Sequence, residues 1–94
     1  MQANGSLRPK ITHFEKAEYP KEAKHREEIQ GVVLVSAIFR ADGRITDIKI
    51  VRGLSKELDA EAIKAASKIK FTPALKNGSP VSTRMVMEFT FNLQ

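Results

Sequence analysis

VSTRMVMEFTFNL, residues 81–93, alternates between apolar and polar side chains along its whole length. The odd-numbered positions, among them Met87 and Phe89, are almost all apolar, whereas the even-numbered positions, among them Arg84 and Glu88, are almost all polar. A period of two with one apolar face predicts a half-buried β-strand. If this strand lies at the edge of a sheet, its outer backbone groups are unpaired, and the edge itself is a binding device.

Two further strands precede it around a tight turn. Residues 31–39 (GVVLVSAIF) are apolar on both faces, which is typical of a central strand. Asp42-Gly43 is a strong hairpin-turn signal, and residues 45–52 (ITDIKIVR) follow it as the second strand. Ile45 is out of step with the other isoleucines of that strand, which indicates a β-bulge near its start.

Two helices flank this hairpin. Tyr19-Pro20 opens the first helix, because proline at the first helical position loses no hydrogen bond, and we expect the helix to run from Lys21 to about Glu28. Ser55 is the predicted N-cap of the second helix. Its apolar stripe is rich in alanine, so that helix and sheet can approach closely. The stripe consists of Leu58, Ala62, Ala65, Ala66 and Ile69.

The order α-β-β-α-β predicts an α+β fold in which two helices pack on one face of a three-stranded antiparallel sheet. A helix separates the second strand from the last, so we place the last strand beside the first and expect the strand order 2-1-3. Residues 74–80 (ALKNGSP) are expected to form a loop. We assign residues 16–94 to one domain and residues 1–15 to a linker remnant or N-terminal extension.

The central strand presents a second apolar face. Val32, Leu34 and Ile38 are directed away from the helices, and an apolar patch of this kind seldom stays bare. We expect it to be covered either by the N-terminal segment around Ile11 and Phe14 or by a second copy of the domain, with the cover from the same chain favoured.

Composition limits the classes of function. With 94 residues, 41% hydrophobic and 29% charged, the chain is one small globular domain, and it contains no cysteine for disulfides or thiolate metal sites. The net charge of +5 reflects five basic residues and no acidic one between Ala62 and Met87. The basic residues near the end of the second helix complement the negative end of its dipole. Nucleic-acid binding is disfavoured, because stacking aromatic pairs and an Arg-rich recognition helix are missing.

No residue pattern indicates catalysis. Asp42 is explained by its turn, and the acidic residues around Asp59 by the first turn of the second helix. No nucleophile or phosphate-loop motif occurs. His13 and His25 are too few and too far apart for a zinc site. We therefore expect no enzyme, no cofactor and no metal.

Five short motifs follow one another in order between residues 19 and 93. They are Tyr19-Pro-x-x-Ala23, Gly31-x-Val33-x-Val35, Asp42-Gly43-Arg-Ile-Thr-Asp-Ile-Lys-Ile-Val51, Leu58-Asp59-x-x-Ala62 and Phe71-Thr-Pro73-Ala-x-x-Asn-Gly78-x-Pro80-Val81. Each motif is weak alone, but the five together, in order and with sensible spacing, are specific. They resemble the C-terminal domain of the TonB energy-transducer family.

The resemblance implies a function that composition does not reveal. Family members are anchored in the inner membrane by an N-terminal helix, cross the periplasm through a Pro-rich linker, and relay energy from an ExbB/ExbD motor to outer-membrane transporters. Their C-terminal domain binds the TonB box, a short extended segment of the transporter plug, as an added strand. The resemblance thus implies a periplasmic protein–protein interaction domain, anchored to the inner membrane in the full-length protein.

The expected partner-binding residues lie on the edge strand and in the first motif. They are Arg84, Met85, Val86, Met87 and Glu88, together with Tyr19 and Pro20. Backbone hydrogen bonds would carry most of the recognition. The alternative function is a structural assembly module that forms a homodimer through its sheet, in a TonB-like envelope protein that does not power transport.

Overall fold

The computed structural model describes residues 6–23 and 28–93 and shows a mixed α+β fold. Helix α1 begins at Lys21, and the part of it predicted at residues 24–27, like His25, lies outside the described residues. Helix α2 spans Lys56–Ser67. The strands are β1 (Ser6–Leu7), β2 (Lys10–His13), β3 (Gly31–Phe39), β4 (Ile45–Arg52), β5 (Lys70–Thr72), β6 (Ala74–Lys76), β7 (Ser79–Val81) and β8 (Thr83–Phe91).

The main sheet is three-stranded and antiparallel, in the order β4-β3-β8. The doubly apolar strand is therefore central and the last strand lies at an edge, as predicted. Strands β3 and β8 pair in an unbroken register from Gly31 opposite Phe91 to Phe39 opposite Thr83. The predicted α+β class and antiparallel sheet are confirmed, but the predicted strand count is incomplete.

Two small sheets lie outside the main one. The segment at residues 74–80, predicted as a loop, is instead the hairpin β6–β7, closed by a turn in which Asn77 and Gly78 have φ angles of 52° and 84°. Positive φ at both turn positions is the geometry of a tight hairpin turn. Val81 pairs with Ala74 in this hairpin, so the last strand begins at Thr83 rather than at Val81.

The N-terminal segment contributes to both small sheets. Strand β1 pairs with β6, and β2 pairs with β5, both antiparallel. Beyond β2, the ring of Phe14 stacks on Phe89, a residue of the core between sheet and helix. The expectation that this segment covers the outer face of β3 is therefore wrong. On that face Val32 remains 36% exposed.

The core lies between the main sheet and α2. The predicted stripe of α2 is buried, and so is Ile69, although the helix ends at Ser67. Ser55 accepts the N–H of Leu58 at 3.2 Å and caps the helix as predicted. The sheet supplies the other half of the core from one face of its strands. The buried sheet residues are Val33, Val35, Ala37, Phe39, Met87, Phe89 and Phe91.

The predicted bulge in β4 is present, and a second one accompanies it. The pairing of β4 with β3 shifts between Ser36 and Ile38 and again between Leu34 and Val35. At the first shift, Asp47 adopts a φ of 53°, and the Arg40 guanidinium bonds its carboxylate at 3.0 Å. These bulges make β4 irregular, whereas β8 is continuous.

The two faces of β8 should respond very differently to truncation. Phe89 is fully buried, so Phe89→Ala should lower the free energy of unfolding by about 3–5 kcal/mol. Val86 is 57% exposed on the opposite face, and Val86→Ala should change it by less than about 0.5 kcal/mol. Chemical denaturation of both variants tests this, and equal losses would contradict the assignment of the faces.

Candidate strand-addition site

The backbone of β8 offers alternate hydrogen-bonding groups to its free side. At the β3–β4 turn, the N–H and C=O of Arg40 both bond towards β4, with Arg44 and Gly43 as partners. Because these directions alternate along a strand, Phe39 and every second residue before it must bond towards β8. The N–H of Ala41 donates to Ser82 Oγ at 3.0 Å, on the β8 side, in agreement with this alternation.

The register between β3 and β8 shows which backbone groups of β8 bond to β3. Thr83, Met85 and Met87 lie opposite odd-numbered residues of β3, so their N–H and C=O groups bond inwards. Arg84, Val86, Glu88 and Thr90 therefore direct their N–H and C=O groups outwards, away from β3. These same four residues carry the exposed side chains of the strand.

The predicted site residues thus fall into two groups. Arg84, Val86 and Glu88 are exposed and have outward backbone groups, whereas Met85 is half-buried and the side chain of Met87 belongs to the core. A strand that adds to β8 would bond the backbone of the first group. Met85 and Met87 would support that edge from within.

Tyr19 and Pro20, the predicted site residues outside β8, lie near the C-terminal end of this strand. The Tyr19 hydroxyl donates to the carbonyl of Ile29 at 2.8 Å and accepts the N–H of the same residue at 3.1 Å. Its ring contacts Phe91 edge-on, with centroids 5.7 Å apart. These internal contacts attach the segment before α1 to the C-terminal end of β8, and Pro20 directly precedes the first helical residue.

The N-terminal segment also runs beside β8. Phe14 stacks on Phe89 with ring centroids 5.3 Å apart and planes at 12°. Glu15 lies 2.9 Å from the ring nitrogen of His13 and 3.8 Å from the ammonium of Lys68. The hydrogen bond from His13 lowers the pKa of the Glu15 carboxyl below its ordinary value. The Phe14 stack thus holds this segment beside β8, whereas Glu15 connects it to Lys68 at the end of α2.

This flanking segment does not pair with the edge. Among the described residues, none at positions 14–17 makes a backbone hydrogen bond to β8. A shallow depression of about 220 Å³ separates the two, lined by residues 14, 16–17, 88–90 and 92. The C-terminal half of the edge is therefore flanked but unpaired.

The N-terminal half of the edge opens onto a larger groove of about 640 Å³. Its walls are residues 7–9, strand β6 with Val81, and residues 83–86. Sequence reasoning missed this groove, because the periodicity of the chain does not show that residues 7–9 meet the β6–β7 hairpin. No pattern in the sequence links these two segments, which pair as Ser6 with Lys76 and Leu7 with Leu75.

Two other features, a metal site and a membrane-spanning helix, are absent from the part of the chain that the structure describes. Within residues 6–23 and 28–93, no three His, Cys, Asp or Glu side chains lie close enough together to hold a metal ion. In the same part of the chain, no helix has the length and apolar character needed to cross a bilayer.

Comparison with known proteins identifies the family. The model of the Gram-negative bacterial TonB protein C-terminal family matches residues 15–93. The chain belongs to the TonB C-terminal family. The C-terminal domains of this family are periplasmic protein-interaction domains that are not known as enzymes, and they interact in general with outer-membrane transporters.

Solved TonB domains share its fold. The solution NMR structure of the Pseudomonas aeruginosa TonB C-terminal domain is 28% identical, covers 97% of this chain and 88% of its own, and superposes with a TM-score of 0.71. The NMR structure of Helicobacter pylori TonB residues 179–285 is 29% identical over 83% of this chain and 70% of its own, with a TM-score of 0.62. No curated protein matches the sequence.

The stack of Phe14 on Phe89 should stabilise this TonB domain by attaching the flanking segment to β8. Phe14→Ala removes the stacked pair with Phe89 and should lower the free energy of unfolding by about 1 kcal/mol. Phe14→Leu keeps an apolar contact without the stacking and should fall between wild type and alanine. Urea denaturation measures both, and an unchanged midpoint for Phe14→Ala would show that the stack does not attach this segment.

Proposed function

We propose that this TonB domain binds an extended segment of an outer-membrane transporter plug, the TonB box, as a strand added to the free edge of β8. The observation that carries the proposal is the unbroken register of β8 on β3, which leaves outward N–H and C=O groups at every second residue. A partner strand can bond to this regular ladder without any rearrangement of the sheet.

The other edge of the main sheet is a poorer acceptor. Strand β4 shifts register twice, and Asp47 at one shift has a positive φ. Bulges of this kind interrupt the regular row of outward N–H and C=O groups. Natural proteins commonly use them to prevent a sheet edge from pairing with another chain. Of the two edges, only β8 offers nine residues without a shift.

We propose the rest of the transducer role as well, and family membership supports it. In it, a preceding region of the full-length protein anchors this domain to the inner membrane and connects it to an ExbB/ExbD motor. Force from the motor would reach the transporter through the added strand. A strand added along β8 would form several backbone hydrogen bonds with it. Because these bonds would bear the force together, the added strand would resist being pulled away.

Proline substitution tests the edge, because it removes one N–H. Val86→Pro should stay folded, since the N–H of Val86 points outwards, but should weaken binding of a synthetic TonB-box peptide by about tenfold or more. Met87→Pro should unfold the domain, because its N–H bonds to β3. Circular dichroism and fluorescence anisotropy with the labelled peptide measure both effects.

Alanine variants at the same positions serve as controls. Val86→Ala and Met87→Ala remove the side chains and keep each N–H, so they separate side-chain effects from backbone effects. If Val86→Pro binds the peptide as tightly as Val86→Ala does, strand addition at β8 is wrong. Unfolding by Val86→Pro would likewise contradict the assigned direction of its N–H.

A second candidate, a homodimerising assembly module, is favoured by the bare outer face of the sheet. Val32 and Val86 are exposed there beside the half-buried Leu34 and Ile38, whereas Ile11 and Phe14 contact other parts of the domain. If this face pairs two copies, the wild type should sediment as a dimer, and Val32→Glu should sediment as a monomer. A monomeric wild type at high protein concentration would contradict this candidate.

A further inference from the structure

The two halves of the β8 edge offer very different amounts of room to an added strand. The groove beside residues 83–86 has a volume of about 640 Å³, whereas the depression beside residues 88–90 has about 220 Å³. Pockets that enclose small ligands usually measure about 300–1,000 Å³. The first half therefore has room for an extended segment. The second half is too narrow while the flanking segment, residues 14–17, lies beside it.

The flanking segment is firmly attached near its C-terminal end. The hydroxyl of Tyr19 bonds to both backbone groups of Ile29, and the Tyr19 ring contacts Phe91 edge-on. Ala17 and Tyr19 also pack against the buried core. Tyr19 therefore fixes one end of the segment, and any movement away from β8 must begin at the other end.

The N-terminal end of the segment is held loosely. Phe14 stacks on Phe89 but is still 44% exposed. Strand β2, which precedes it, is exposed at all four positions and pairs with the three residues of β5. A two-stranded ladder of this size is marginally stable in water. The segment can therefore detach from Phe14 onwards while the main sheet stays folded.

The ionic contacts of the segment oppose this detachment only weakly. Glu15 contacts His13 and Lys68, and all three side chains are about half exposed. Exposed ion pairs contribute little to stability, and salt screens them. The stack of Phe14 on Phe89 is therefore the contact that chiefly holds the segment beside β8.

We propose that the flanking segment gates the C-terminal half of the β8 edge. In the closed state Phe14 is stacked on Phe89, and an added strand pairs with the first half of β8 alone. In the open state the segment has detached, and the strand extends along Glu88 and Thr90. The inference rests on the proposed strand addition at β8 and describes how that site is regulated.

Such a gate makes affinity depend on the length of the partner strand. Arg84 and Val86 direct their backbone groups outwards beside the groove, where these groups are free in both states. The outward groups of Glu88 and Thr90 become available in the open state. A short partner has equal affinity for the two states and shifts neither population, whereas a long partner binds the open state better and favours it.

A disulfide that fixes the segment tests the gate in the full 94-residue chain. His13 and Lys70 lie opposite each other across β2 and β5. The Cα atoms of such antiparallel partners are about 4.5–5.5 Å apart, within the range of a disulfide. The sequence contains no cysteine, so the double variant His13→Cys with Lys70→Cys forms one defined bond. With residue 13 and Tyr19 both held, the segment between them cannot detach.

Two synthetic peptides measure the effect by fluorescence anisotropy. The short peptide is a TonB box as long as residues 83–87, and the long peptide adds about four alternating Thr and Val residues at each end. One extension then reaches residues 88–91 whichever way the added strand runs. Oxidation of the double variant should weaken the long peptide about tenfold, because its bonds to Glu88 and Thr90 are lost. Binding of the short peptide should not change. The reduced double variant and the wild type under both conditions are the controls.

Phe14→Ala should have the opposite effect. Loss of the stack should raise the open fraction about fivefold, so the long peptide should bind up to about fivefold tighter than to the wild type. The short peptide should bind both proteins equally, and Phe14→Leu should give an intermediate affinity for the long one. Circular dichroism confirms that each variant is folded.

The outcomes separate this inference from the proposed function. If the long peptide binds the oxidised and reduced double variant equally, and Val86→Pro weakens both peptides, strand addition stands and the gate is wrong. Equal loss of both peptides on oxidation also overturns the gate, and so does an unchanged affinity for the long peptide in Phe14→Ala. If neither peptide binds the wild type or Phe14→Ala, strand addition at β8 fails and this inference fails with it.

Discussion

The uninterrupted ladder between β3 and β8 is the interaction on which the rest of the structure depends. It fixes which side chains of β8 enter the core, since Phe89 and Phe91 lie opposite Val33 and Gly31. It fixes equally which backbone groups remain free, because the direction of each N–H alternates with the side chain. One register thus sets both which side chains are buried and which backbone groups of β8 are free. A slip of one residue would expose the phenylalanines and turn the free groups inwards.

The two edge strands of the main sheet, β4 and β8, differ in how readily each can pair with a further strand. Strand β4 carries two register shifts and charged side chains, which oppose pairing with another strand. Strand β8 has no such interruption, so an unpaired edge of nine residues persists in a folded domain. Such an edge risks aggregation. Phe14 and the segment beside it shield only the half near Phe89, which leaves the rest accessible.

The long elements were predictable from sequence and the short ones were not. Alternation of apolar and polar residues predicts β8, and a run that is apolar on both faces predicts β3. Asp42-Gly43 predicts the turn, and Ser55 with the alanine stripe predicts α2. Strands of two or three residues carry no measurable period, so β1 and β5–β7 were missed or read as loop. The direction of Phe14 was mispredicted for a related reason, because pairing of β2 with β5 lies between segments about sixty residues apart.

At the proposed site, the long and the short strands contribute different features. The long strands supply a generic ladder that any extended segment can join, and their pattern is visible in the sequence. The short strands β1 and β6 build one wall of the groove beside residues 83–86, through contacts between residues 6–9 and 74–76. The buried cluster between β3, β8 and α2 includes no residue of β1 or β6. A substitution on this wall can therefore change the shape and charge of the groove without a change in the fold.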